Sequence, residues 1–246
     1  MQNNVLEKAE IEGQLALGEE KSEAIAHKDG ALKRLDVSFN KHIELMEYKK
    51  SNLLAYWIKD FAQYHDEEKT FSPKTLKNFK RGDIVKVNLG FNVGNEFGGL
   101  HYCVVINAND NFSAGHLNVI PLSSAKEEKE YNTETCVDLG DELHTLLSKK
   151  FKNEMDSTLN KFKGIEEIKD LTPDEMAKIS KKVNLLKKLN VELEKMKHGS
   201  IAYVHQITTI SKQRIFKTPI LSGIKLSNES LDLLDEKIIS LFTKKH

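Results

Sequence analysis

The residues with the most chemical reach lie after residue 90. Gly94-Asn95-Glu96-Phe97-Gly98-Gly99 is followed closely by His101, so a carboxylate and an imidazole flank a glycine-rich stretch. Glycines let a backbone turn tightly and approach a ligand closely, and a histidine can take up or release a proton near neutral pH. An ordinary β-hairpin loop accounts for the same glycines. The pattern GxxxxGK[ST] is missing, so the loop is not a nucleotide-phosphate cradle of that type. Ser123 and Ser124 close an apolar run and offer hydroxyl donors; Lys126, Lys212 and Arg214 are cations near the ends of such runs, Lys126 being the best candidate for a solvated rim. Cys103 and Cys136 sit in apolar stretches with no second ligand at CxxC or CxxH spacing, and His116, His144, His198 and His205 show no ligand spacing either. No metal site is expected, and the cysteines read as buried free thiols.

Positioning these side chains requires strands. From Gly82 onward the runs IVKVNL, YCVVIN and LNVIPL are separated by Gly, Asn and Asp, the pattern of short strands and loops. SIAYVHQI and RIFKTPIL resume it later, and Ser227 opens a last amphipathic helix through Leu231, Leu234, Ile238 and Leu241. Two helical stretches surround and interrupt this β unit. Residues 1–78 carry Leu35, Phe39, Ile43, Met46, Leu54, Trp57, Phe61 and Tyr64 at three- and four-residue steps, with Gly30 as the expected turn between a shorter first helix and a longer second one. Residues 141–197 form the second stretch, turning near Gly164. There Thr172-Pro173-Asp174-Glu175 is a helix start with a capping box and proline at the first helical position. Met176, Ile179, Val183, Leu186, Asn190 and Leu193 follow it at coiled-coil spacing.

The whole chain has 246 residues, 39% hydrophobic and 30% charged, with 37 basic and 37 acidic side chains, which describes a folded protein with a heavily charged surface. Zero net charge gives no general footprint for a polyanion, so any such site must be local. No apolar run approaches the roughly 18 residues that span a bilayer, and the N-terminus lacks a signal-peptide pattern, so a cytoplasmic protein without membrane contact is expected.

Arg81-Gly82-Asp83-Ile84-Val85, the glycine loop, Val104-Val105 and the late segment His205 to Ile215 (HQITTISKQRI) together resemble the PemK/MazF toxin family, in family order. The resemblance implies an α+β protein. Its core is a small Src-homology-3-like β-barrel of PemK/MazF type, with an N-terminal helical hairpin, an inserted coiled-coil hairpin and a C-terminal helix. It places the barrel domain in 79–246, interrupted at about 141–197, with 1–78 as a separate hairpin. Both hairpins lie outside the resemblance, and the insert is expected to project from the barrel.

Family membership implies the toxin of a type II toxin-antitoxin system: an endoribonuclease that cleaves single-stranded RNA without a metal or other cofactor. The implied partners are a cognate antitoxin, promoter DNA bound together with it, and a second copy in a homodimer. Carried over by position, Glu96 matches the family glutamate, Ser123 the threonine ending the third strand and Gln206 the family glutamine. His101 stands where the usual member has its catalytic arginine, and Thr208 where the late segment usually has arginine. The implied catalytic set is His101, Ser123 and Glu96. The implied substrate-binding set is Gly98, Gly99, Gln206, Thr208, Lys212 and Arg214. RNA cleavage without metal needs a base, an acid and donors to the phosphate oxygens; a histidine serves the first two better than an arginine does. A barrel that has lost catalysis and only binds nucleic acid is the other reading of the same departures.

Overall fold

A stretch rich in Glu, Lys, Ala and Leu gives α1 (Gln2–Glu44), which ends at a corner and not at a glycine. At that corner Leu45 N donates to Lys41 O and Glu47 N to His42 O (3.0 and 2.8 Å), and Met46 takes a left-handed φ of 58°. His42 Nδ1 meets Glu47 Oε2 at 2.6 Å, and α2 (Tyr48–Glu67) follows. The turn expected at Gly30 is therefore absent: Gly30 lies within α1, and a glycine costs a helix only about 1 kcal/mol relative to alanine. The apolar stripe from Leu35 to Tyr64 is split between two helices, and Met46, within it, is 76% exposed.

The computed structural model describes residues 2–126, 130–162, 172–196 and 198–244. It divides into two compact units, Met1–Lys59 and Asp60–His246. The second holds an antiparallel sheet built from β1 (Ile84–Asn88), β2 (Leu100–Val105), β3 (His116–Ser124), β4 (Val137–Asp138), β5 (Ser200–Ala202) and β6 (Thr208–Ser211). The order is β1-β2-β3-β5-β4, with β6 also pairing β3. Mixed helices and antiparallel strands make this an α+β fold. The sheet is open and not the expected closed barrel: among the described residues β1 and β4 end the order without pairing each other, and the outer edge of β1 meets the isolated bridges Asp83 to Lys225 and Val87 to Ile215.

The long central strand is organised by Pro121. On one edge β3 pairs β2 through residues 119–122. On the other, residues 116–119 pair β6 and residues 122–124 pair β5. Pro121 falls where the second partner changes; it has no N–H to donate, and its carbonyl accepts from Tyr203 N (3.0 Å). Alternation along the strands then creates two cores. Val85, Val87, Cys103, Val105, Leu117 and Val119 cluster with Ile210 on one face, while Ile84, Val104, Ile120 and Leu122 face the helices on the other.

The segment 141–197 does not simply project. α3 (Glu142–Phe162) and α4 (Pro173–Met196) place Leu143, Leu147, Leu189 and Met196 in the core at 0–2% exposure. Lys150 Nζ donates to Pro219 O and Ser222 O (2.8 and 2.6 Å), and Ser124 Oγ to Lys195 O (2.7 Å). The capping box forms as read: Thr172 N donates to Glu175 Oε2 (2.9 Å) and Glu175 N to Thr172 Oγ1 (3.3 Å). The expected turn near Gly164 lies outside the described residues. The buried face of α4 is displaced from the expected seam: Leu189, Glu192 and Met196 are buried, while Met176 and Asn190 are exposed. The docking surface of the sheet, not the partner helix alone, selects that face.

The RGDI stretch acts in folding. Arg81 donates to Ile106 O and pairs with Asp235 of α5 (Asn228–Phe242). Gly82, at φ 86°, faces Leu231 so closely that a Cβ would sit 3.0 Å from its Cδ1. Asp83 accepts from Lys77 Nζ (2.7 Å) and Lys80 N (3.1 Å).

Candidate functional site

Residues 89–99 connect β1 to β2 as a hairpin loop closed at its base. Leu89 N donates to Gly99 O (2.8 Å), and Gly99 N donates back to Gly90 O. Two glycines are required here for different reasons. Gly99 adopts φ 85°, and a Cβ on Gly98 would lie 2.9 Å from Gly90 O, closer than real Cβ atoms approach. The Gly99 N–H is engaged inside the loop, so it is not a donor awaiting a phosphate.

Gln206, at the end of a 3₁₀ turn (Val204–Gln206) that precedes β6, clasps this loop from outside. Its Oε1 accepts from Phe97 N (3.2 Å) and its Nε2 donates to Asn95 O (3.2 Å). Phe97 stacks edge-on against His101 with ring centroids 4.6 Å apart and meets Tyr203 at 4.9 Å. Thr208 opens β6 opposite Val119 and is exposed.

His101 opens β2 next to Leu100, opposite Val87 of β1. Its Nδ1 lies 3.2 Å from the carbonyl of Leu122, an acceptor, so Nδ1 carries the proton. Burial pushes the imidazole pKa below its ordinary 6.5, and the carbonyls of Leu122 and Gly98 against the ring only partly offset this. The neutral form is therefore the resident one at pH 7. Continuing the β2–β3 register by one step sets His101 opposite Ser123, on the same face of the sheet. Glu96 is exposed and accepts from Val93 N (3.4 Å). The ring of His101 is held by Leu122 and Phe97, not by Glu96.

Arg214 reaches the base of the loop, where its Nε donates to Asn88 O (2.8 Å), and burial lowers the pKa of its guanidinium. Asn88 is the hub beneath: its side chain donates to Asp60 Oδ2 (2.7 Å) and accepts from Gly90 N (3.1 Å). Lys212 is not at the site. Its Nζ is 1% exposed between both oxygens of Asp110 (2.7 and 2.8 Å) and Asn111 O, below the ring of Phe79. A cation enclosed by a carboxylate of equal burial holds two loops together and does not meet a ligand.

Cys103 and Cys136 are buried free thiols, and burial pushes the Cys103 thiol up. Among the described residues no three His, Cys, Asp or Glu side chains converge on one point. Phe97, Tyr203 and Asn88 escaped sequence reasoning. Phe97 carried a signal, being the aromatic between Glu96 and Gly98; Tyr203 and Asn88 carried none without the register.

The arrangement is that of an antiparallel-sheet α+β unit with a glycine hairpin loop, a clasping glutamine and a half-buried histidine at the start of the second strand. Residues 80–187 match the family model described as PemK-like, MazF-like toxin of type II toxin-antitoxin system, and over that span the chain is similar to this family. The matched span holds the RGDI strand, the glycine loop, His101 and Ser123, and runs through α3 into α4, stretches that the sequence resemblance excluded. Gln206, Thr208, Lys212 and Arg214 lie beyond it. No curated protein matches the chain.

Proposed function

We propose that this domain is a metal-independent endoribonuclease toxin acting on single-stranded RNA, with His101 as its proton-transfer residue. The observation that carries this reading is the placement of His101: within the span matched to the toxin family, behind a clasped glycine loop, with Nδ1 protonated against Leu122 O so that Nε2 holds the lone pair. Nε2 takes the proton of a ribose 2′-hydroxyl. The resulting oxygen attacks the adjacent phosphorus, the bond to the 5′-oxygen breaks, and that oxygen leaves with a proton returned by the imidazolium. The products are a 2′,3′-cyclic phosphate and a 5′-hydroxyl. Ser123, opposite His101, donates to a phosphate oxygen, and Gln206 positions the loop that covers the strand. Glu96 and Thr208, both exposed beside this loop or its clasp, contact the substrate.

The functional domain in this reading is 79–246. The fold taken in this reading is the family's small barrel, with β1 bridging residues 215 and 225 at its free edge, and the partners are a cognate antitoxin, promoter DNA in its company and a second copy of the chain in the cytoplasm. A binding module without catalysis is favoured by one observation, that the carbonyls of Leu122 and Gly98 both engage the His101 ring. Incubation of the purified protein with a long RNA in chelator, with the cut ends mapped, separates the two. Cyclic phosphate ends that vanish in His101→Ala support the nuclease; intact RNA with retained binding supports the module.

A further inference from the structure

Four rings run in a row from the foot of the glycine loop to the turn that clasps it. His101 meets Phe97 with centroids 4.6 Å apart, Phe97 meets Tyr203 at 4.9 Å, and Tyr203 meets His205 at 5.9 Å. Exposure grows along the row: His101, Phe97 and Tyr203 are half-buried, and His205 is exposed. Packing against one another accounts for the inner three. It does not account for His205, because an imidazole left in water gains little from burial.

The ring of His205 is nevertheless held. Its backbone N–H donates to Thr135 O (3.3 Å), and its Nδ1 lies 3.2 Å from that same carbonyl, an acceptor, so Nδ1 carries the proton. Thr135 is fixed in turn by its own N–H on Asn132 O (3.1 Å). On the inner side Tyr203 N donates to Pro121 O (3.0 Å), which ties the row to β3, the strand that carries Ser123. An exposed ring anchored in this way offers a flat face to a ligand at little further cost in ordering.

We infer that Tyr203 and His205 form a nucleobase subsite, in which a base of the single strand next to the cleaved bond stacks on the ring of His205 with Tyr203 behind it. Single strands are bound by stacking their splayed bases on Phe, Tyr, Trp and His rings. The row supplies such rings on a line that begins at the proposed proton-transfer residue, so a phosphate at His101 leaves a neighbouring base within reach of the outer rings. An apolar protein segment suits this surface less, since exposed Thr208 and Thr209 follow the turn. Both subsite residues lie beyond the span matched to the toxin family. The inference rests on the proposed RNA cleavage at this face.

The test is fluorescence anisotropy of the full chain with a labelled random-sequence dodecamer of 2′-fluoro RNA. This probe keeps bases and phosphates but lacks the attacking hydroxyl, so it reports binding without cleavage. His205→Ala, at an exposed position, should bind it about five- to 150-fold more weakly with circular dichroism unchanged, the loss expected for one stacked base. His205→Phe restores a flat ring and should bind within about twofold of the parent. A dodecamer of abasic tetrahydrofuran units should bind the parent and His205→Ala alike. The inference is overturned by no binding of the base-bearing strand to the parent, by equal binding to His205→Ala, by an equal loss in His205→Phe, or by the same loss on the abasic strand. Cutting of ordinary RNA in chelator is scored apart. Ring-dependent binding with no cut by the parent sinks the nuclease and leaves the subsite standing, whereas cutting with ring-independent binding sinks the subsite alone.

Discussion

A single imidazole carries most of the proposed chemistry, and its surroundings set how that chemistry responds to pH. Burial holds the His101 pKa below 6.5, so as a base it is mainly deprotonated at neutrality. The cleavage rate should be flat around pH 7 and fall only as pH drops through that lowered value. A pH–rate profile of the parent checks this, and His101→Ala should cost roughly 10²–10⁴ in rate while the fold is kept. The second residue-scale prediction concerns Lys212, which the sequence offered as a substrate contact. Lys212→Met leaves Asp110 buried without its partner and should cost about 3–5 kcal/mol of stability by urea unfolding, whereas Lys212→Met/Asp110→Leu should recover much of that loss. Lys212 shows where residue-level reading stops. A lysine two residues from an arginine in a loop-like segment looks solvated, and only the fold brings Asp110, far earlier in the chain, against its Nζ. His101 was legible because it stands at a fixed step from a glycine loop, a local relation that survives folding.

At the scale of elements, strands were read from their apolar runs and the capping box from its four residues; β1, β2, β3, β5 and the capping box form as those local rules require, whereas RIFKTPIL gives only an isolated bridge at Ile215 and a 3₁₀ turn at Pro219–Leu221. The corner at Met46 was not legible, since a glycine was available at residue 30 and the signal that matters is the His42–Glu47 closure. The role of 141–197 was misread for a related reason: heptad spacing describes how helices meet each other and is silent on what else they meet. Leu189→Ala or Leu147→Ala should therefore cost about 2–5 kcal/mol, as core leucines do. Replacing 141–197 by a glycine-serine turn should abolish cooperative unfolding. Glu192 gives this docking a pH signature. Burial alone would raise its pKa, but hydrogen bonds from Tyr102 and Lys86 and the Lys86 charge outweigh it and hold the carboxyl below 4.5. A depressed folded-state pKa means that its contribution is present above the unfolded value and is lost as pH falls through the folded one. Stability measured from pH 7 down to pH 3 should thus decline less steeply in Glu192→Gln than in the parent.

For the whole molecule, the boundary of the second unit falls at Asp60, inside α2, because Asp60 and Tyr64 are bonded to Asn88 and Gln213. Such bonds leave no periodic trace, whereas the change from helical to strand spacing near residue 79 does. A chain shortened to 60–246 should unfold cooperatively. One shortened to 79–246 should be less stable by about 1–3 kcal/mol, because Asn88 and Gln213 lose half-buried partners and the buried Asp83 loses Lys77; calorimetry of the two decides it. The change of partner at Pro121 bears on the order of assembly. β3 can find β2 by a short hairpin search, but its other edge waits for strands that begin only at Ser200, across the whole of α3 and α4. Closing so long a loop is slow when the intervening chain is slack. A helical hairpin that forms early and brings its two ends together shortens the search. Thr172→Ala, which removes a cap from α4, should then slow refolding in proportion to the stability it removes and leave the unfolding rate nearly unchanged.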